Sequence, residues 1–535
     1  MLCATVLGVG YSPIMPGTMG TLAAVPLAIG AIFVGVRALN QRELHRRISE
    51  HLTEGQSLLA AARQQGDAVD KLRQQAFQAF DSQRLEDGER TWAQALSLAQ
   101  ENDKALGRVS QVFEGVLTLD ASSRAARDLL AETLYQRALA AERDRRGAQL
   151  EDLLQRLALY DPEGAWLQRH KAPGRLQLLT EPAGAVVQLQ RYEADAAQQL
   201  RLLPVAAPTA APIEQLALAP GSYLLTLRAP ERAEVRYPFV IGRDEALRLE
   251  LALPRAAAVP AGFVYVPPGR FDFGTTADEP SRRTFLSTVP LHPVRTAGFL
   301  IARSETTFGD WLRFLAALPP AERAARAMKV TKGSVSGAVE LSEVPGGGWL
   351  LKLQPGSQPL TAKQGEPLLY PGRKVRQRVD WQKLPVGGIS IDDAQAYARW
   401  LATTGQVPGA RLCDEYEWER AARGADEREF PHGGNLGPQD ANFDQTYARS
   451  TLEMGPDEVG SHPASRSPFG LDDMAGNVFE WTTSRLGKDE LLVRGGGYFF
   501  AAIAARVTNR TMVDSSFRDP NVGVRICAAA PLPKE

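Results

Sequence analysis

The stretch "PFGLDDMAGNVFEW", residues 468–481, sets Asp472, Asp473, Asn477 and Glu480 among glycines and aromatic residues. Asp473 and Glu480 lie seven apart, with Gly476 and Val478 between them. Two carboxylates plus intervening backbone carbonyls are oxygen donors that suit a hard cation such as calcium. A hydrogen-bonded acidic turn without an ion explains the same residues. Phe479 and Trp481 read as core in both cases.

On either side lie further segments in a fixed order: "FVYVPPGRFDFGTT" (263–276), "HPVRTAGFLIARSETTFGDWLRFL" (292–315), "LPVGGISIDDAQAYARWL" (384–401), "ARLCDEYEWERAARGAD" (410–426), "LLVRGGGYF" (491–499) and "RVTNRTMVDSSFRDPNVGVRICA" (506–528). Ser390 is a natural N-cap for a helix carrying Ala394, Tyr397, Ala398 and Leu401 on one face. "EYEWERAARGA" is a second amphipathic helix, ended by Gly424. "RGGG" lets backbone approach backbone. Arg494, Arg506 and Arg525 call for carboxylate or carbonyl partners in a fold poor in regular structure. The "DFG" at 272–274 lacks the other kinase motifs and reads as strand.

Together these segments resemble, over about half the chain, the formylglycine-generating enzyme and sulfatase-modifying factor family, whose fold is a variant of the C-type lectin fold. The resemblance implies calcium at the positions of Asp473, Gly476, Val478 and Glu480. A second family calcium site matches only at Asn442 and Phe443, because the loop near "STLEMGPDE" lacks the matching acid. The family's oxidase holds copper through two cysteines just after the Gly-Gly-x-Tyr turn, and paired thiolates are what retain soft Cu(I). Here the turn continues "GGGYFFAAIAARV", with Phe500 and Ala505 at the cysteine positions and Gly497 where a serine is common. Copper is therefore not expected. The related iron branch needs clustered histidines, whereas His45, His51 and His170 are scattered. In folds of this family the last strand returns to the core near the start of the domain. That brings Cys413 and Cys527 within reach of a disulfide, which would persist only outside the cytosol; two buried, reduced thiols are the alternative.

Earlier in the chain, 1–36 carries no charged residue, and "GTMGTLAAVPLAIGAIFVGV" (17–36) is long enough to cross a bilayer. Its basic residues follow the apolar run, which favours an anchor over a cleaved signal peptide. Residues 8–28 also resemble the opening of phosphatidylglycerophosphatase A, without that enzyme's later motifs. Residues 37–165 have helical apolar spacing with tetratricopeptide-like fragments and form a helical stalk. From 171 to 255 the period becomes two. "TEPAGAVVQL" and "LAPGSYLLTLRAP" resemble a PEGA-type module, and a generic β-sandwich spacer fits equally. The domain resembling the sulfatase-modifying factors occupies 260–531.

The 535 residues are 44% hydrophobic and 23% charged with a net charge of −1, an average globular composition with no basic excess for nucleic acid. Three cysteines and six histidines exclude a disulfide-rich or multi-zinc scaffold. The expected molecule is a multidomain α+β protein: transmembrane helix, helical stalk, small β-sandwich and a C-type-lectin-like domain. It is expected to be a single-pass membrane protein with a periplasmic or extracellular C-terminal domain. Its expected role is non-catalytic, binding a protein or small-molecule ligand at the lectin-like surface or sensing it. The same order of segments is similar to the sensor half of bacterial membrane Ser/Thr kinases. The alternative is an oxidase that converts a sulfatase cysteine to formylglycine.

Overall fold

The computed structural model describes residues 19–331, 335–485 and 490–531. They form two compact units, one from the chain up to Gln78 and Glu86–Gln168, the other from Ala79–Leu85 and Arg169 onward.

The first unit is helical. Its helices are Met19–Asp81, Leu85–Leu119, Arg124–Arg143 and Gly147–Tyr160. Ser123 caps the third by accepting from the Ala126 amide. Leu106, Val109, Phe113 and Val116 recur at three- and four-residue intervals and are buried. Leu106, Val109 and Phe113 pack with Leu59, Leu130, Leu134 and Leu157 in one cluster.

The expected membrane anchor is overturned here. Among the described residues no helix is long and apolar enough to cross a membrane. The apolar residues from Met19 open the continuous Met19–Asp81 helix, which runs on into charged residues. Arg46 pairs with Glu43 and Glu50, both at 2.6 Å, in the i,i+3 and i,i+4 geometry of a solvated helix. Residues 1–18, including the start of the run 17–36 and much of the phosphatase-like stretch, lie outside the described residues. The single-pass assignment, and the periplasmic or extracellular placement given with it, are not retained.

The second unit begins with a β-sandwich. In one sheet Gly174–Glu181 lies between Ile213–Leu218, antiparallel, and Ala246–Ala252, parallel. The other runs Leu200–Pro204, Val186–Ala194, Gly221–Arg228, Val235–Ile241. Leu176, Leu178, Val187, Leu225, Phe239 and Leu251 share one buried cluster. The sandwich is bonded to the residues that follow it. The Leu200 amide donates to the His432 carbonyl at 2.8 Å, and Ser222 Oγ donates to Asp426 at 2.5 Å.

After 260 the chain forms short sheets around three capped helices. Thr307, Ser390 and Asp414 each close a capping box, with Asp310, Asp393 and Glu417. Ala394, Tyr397, Ala398 and Leu401 are all buried on the Ile391–Thr403 helix, and Gly424 ends Glu415–Arg423. The central sheet runs Ala410–Leu412, Ile526–Ala529, Phe299–Ala302, Phe263–Val266. A second sheet contains Phe479–Arg485 between Leu491–Arg494 and Val522–Gly523. A four-stranded antiparallel meander, Lys329–Val330, Ala338–Glu343, Trp349–Gln354 and Leu360–Lys363, is inserted before the helix capped by Ser390.

Candidate functional site

Glu480 opens the Phe479–Arg485 strand, and Arg525 lies in the chain's return toward its last strand. Both side chains are buried. Arg525 donates three bonds to the Glu480 carboxylate, at 2.7, 2.9 and 3.0 Å, and Trp418 Nε1 adds a fourth at 2.5 Å. Arg525 also reaches the Ala302 and Asp472 carbonyls, at 3.1 and 2.9 Å. One guanidinium thus joins the central strand, the acidic turn and the second sheet.

Asp473 sits in the left-handed region (φ 57°) beside this pair, and its Oδ2 accepts the Gly460 amide at 2.5 Å. Burial pushes its carboxyl up to about 6. Glu305, two residues before the cap Thr307, enters from another element. It receives Asn477 Nδ2 at 3.3 Å and the Val478 amide at 3.4 Å. Burial first, and then the Asp473 and Glu480 carboxylates, push Glu305 well above the usual carboxylate range. Glu305 does not figure in the sequence reading. Its only sequence signal is an acid standing just outside a capping box, which reads as part of the helix start.

Three buried carboxylates therefore face one guanidinium. The imbalance is relieved by protonating Glu305 or by a dication. Among the described residues no three of His, Cys, Asp or Glu converge closely enough to hold a metal unaided, so backbone carbonyls would have to contribute. Hard oxygen donors with excess negative charge fit calcium. Glu480 is already saturated by Arg525 and Trp418, so the carboxylates without an ion pair are Asp473 and Glu305.

The positions assigned to a second ion are both buried, and Asn442 Oδ1 has no hydrogen-bond partner among the described residues. Asn442 Nδ2 is spent on the Gly455 carbonyl and Asn477 Oδ1, at 2.9 and 3.2 Å, and Phe443 is buried. Near them the Arg373 guanidinium lies between the rings of Tyr370 and Tyr447, 3.5 and 3.8 Å from their centroids. It bonds Asp457 at 2.7 Å and the Gly455 carbonyl at 2.9 Å, and His462 reaches the other Asp457 oxygen at 2.8 Å. Burial raises the Asp457 carboxyl, and the hydrogen bond from His462 with the Arg373 charge brings it below its ordinary value.

The copper positions hold no sulfur. The Phe500 ring stands edge-on to Phe479, centroids 5.2 Å apart, and Ala505 is buried with Phe430, Ala441 and Phe443. A Cβ built on Gly497 would lie 2.0 Å from Asn521 Oδ1, so Asn521 fills the space a serine there would need. Cys413 and Cys527 are joined by a disulfide with Cα atoms 4.9 Å apart, buried beside Trp418 and Met474.

The sequence is similar to known proteins. The sulfatase-modifying factor enzyme 1-like domain matches residues 250–530. The inactive C-alpha-formylglycine-generating enzyme 2 of Mus musculus is 33% identical over 178 residues, covering 31% of this chain and 54% of the mouse protein. The chain thus spans about half the length of that relative. The formylglycine-generating enzyme of Mycobacterium tuberculosis is 28% identical over 238 residues, 41% of this chain and 73% of that protein. Among solved structures, PvdO from Pseudomonas aeruginosa aligns with 50% of this chain and 94% of its own, at 22% identity and a TM-score of 0.36. Through residues 250–530 the chain belongs to the sulfatase-modifying factor enzyme 1-like family.

Proposed function

We propose that the C-terminal domain is a non-catalytic member of its family that binds or senses a protein or small-molecule ligand. The observation that carries this reading is the pair Phe500 and Ala505, a ring and a methyl group where an oxidase needs two thiolates. The two cysteines of this domain are joined to each other elsewhere in the core and are not available as copper ligands. A relative that bears the word inactive in its name, at 33% identity, agrees with it. In this reading 37–165 is a stalk and 171–255 a PEGA-like module that present the domain, and a signalling role would need a separate kinase as partner. Calcium would be held by Asp473 with the carbonyls of Gly476 and Val478. Glu305 would complete the set and Glu480 would stand behind it, and the ion would supply charge balance and rigidity. Anaerobic titration with Cu(I) against a chromophoric chelator tests the reading. Failure to compete for the ion is expected, and stoichiometric tight binding by the disulfide-bonded protein overturns it.

A further inference from the structure

Buried arginines in the second unit follow a rule with one exception. Among the described residues, Arg282, Arg373 and five others each sit against Glu279, Asp457, Glu419, Asp426, Glu415 or Glu480. Arg420 is 1% exposed and has no carboxylate. Its Nη1 donates to Thr296 Oγ1 at 2.5 Å, and its Nη2 has no partner. The Phe469 ring, 5.6 Å away, is a weak substitute for an anion. An unpaired buried charge is strongly unfavourable, and burial drags this guanidinium down to about 10.

The surroundings add positive charge. A Cβ placed on Gly269 would meet both Arg420 Nη2, at 2.4 Å, and Tyr237 Oη, at 2.7 Å, so the two groups lie over the same spot. The neighbouring register pair sets Arg270 directly opposite Arg295, a like-charge pairing that is unfavourable by itself. Arg270 is answered by Glu245 at 2.5 Å, whereas Arg295 is exposed and makes no ion pair among the described residues. Arg420, Arg295 and Arg270 all act on the Tyr237 hydroxyl, and Arg420 also acts on that of Tyr265. Tyr237 and Arg270 also line a cavity of about 250 Å³, together with Phe239, Leu249, Phe271, Asp272 and Pro293. Three guanidiniums thus act on the Tyr237 hydroxyl, which with Arg270 and Asp272 lines a cavity between the sandwich strand Val235–Ile241 and the hairpin of Gly269–Phe273 with His292–Thr296.

We propose that this seam binds the phosphate or carboxylate group of a small molecule, through Arg420 Nη2 and the Tyr237 hydroxyl, with any apolar remainder in the cavity. The proposal draws on none of Glu305, Asp473, Glu480, Phe500 or Ala505, and it does not depend on the function proposed above.

The test is thermal unfolding of the full chain with sodium phosphate, sodium acetate or sodium benzoate, each against sodium chloride at equal ionic strength. At least one oxyanion is expected to raise Tm saturably beyond chloride. Benzoate above acetate would place the apolar body in the cavity, and phosphate above both would make phosphate the ligand group. Arg420→Met keeps the bulk and removes the charge, and should abolish the response. Tyr237→Phe and the exposed Arg295→Gln should weaken the affinity by about tenfold or less, as the loss of one hydrogen bond or one charge allows. If Arg420→Met does not fold, those two variants decide. Absence of any oxyanion effect beyond chloride, or an unchanged response in the variants that fold, overturns the proposal.

Discussion

Arg525 and Glu480 are both buried and meet through three hydrogen bonds, the shortest 2.7 Å, at the point where the last strand, the acidic turn and the second sheet come together. Removing one partner of such a pair leaves an uncompensated buried charge. Glu480→Gln should destabilise the domain by about 3–5 kcal/mol, read as a drop in the denaturant midpoint. A loss below about 1 kcal/mol, the worth of an exposed pair, would show that the pair is open to solvent.

Calcium and pH should act on one group in opposite senses. Asp473 is raised to about 6 from its ordinary 3.8, so between those values the folded state holds more protons than the unfolded one. Its contribution to stability is therefore present at low pH and is lost as pH rises through about 6. In chelator, Tm should fall across that window. With millimolar calcium the fall should be reduced or reversed, because an ion bound to the folded state stabilises it. Glu305→Gln and Asp473→Asn should each blunt the calcium effect. Superimposable curves with calcium and with chelator at pH 7 would rule the ion out.

The disulfide Cys413–Cys527 closes a loop with a sequence separation of 114 residues. In the loop-entropy description a bridge of that span is worth roughly 3–5 kcal/mol. Reductant, or the double change Cys413→Ala with Cys527→Ala, should lower the unfolding midpoint accordingly. Equal midpoints with and without reductant would contradict this, once free-thiol titration has shown reduction to be complete.

Gly497→Ser should cost about 1–3 kcal/mol by overpacking, since its Cβ would fall 2.0 Å from Asn521 Oδ1. Adding Asn521→Ala should recover most of that loss, because the two positions share one space. Additive effects in the double variant would show that the clash lies elsewhere.

Much of this domain was legible in its sequence because the signals are local. Ser390 before an amphipathic run, Asp414 before another and Gly424 after it mark helix ends without reference to anything distant. Glu305 was not legible, because its partner Asn477 lies 172 residues away and only the fold makes the pair. Arg373, in "GRKVRQR", looks like one of several solvated basic residues until Tyr370 and Tyr447 close over it. The meander is a different case. The alternation in Ala338–Glu343 and Trp349–Gln354 is plain in the residues, yet a family pattern carried by glycines and acids draws the eye past it. At the amino end hydropathy alone suggested an anchor, where the described chain instead shows the opening of the Met19–Asp81 helix.

The central claim, a family domain without oxidase chemistry, meets its most direct test in one assay. Purified protein is supplied with copper, oxygen, reductant and a Cys-x-Pro-x-Arg peptide, and the peptide is followed by mass spectrometry. The expected result is an unmodified cysteine after prolonged incubation, because Phe500 and Ala505 offer no thiolate. Copper-dependent conversion of that cysteine to formylglycine would contradict the claim.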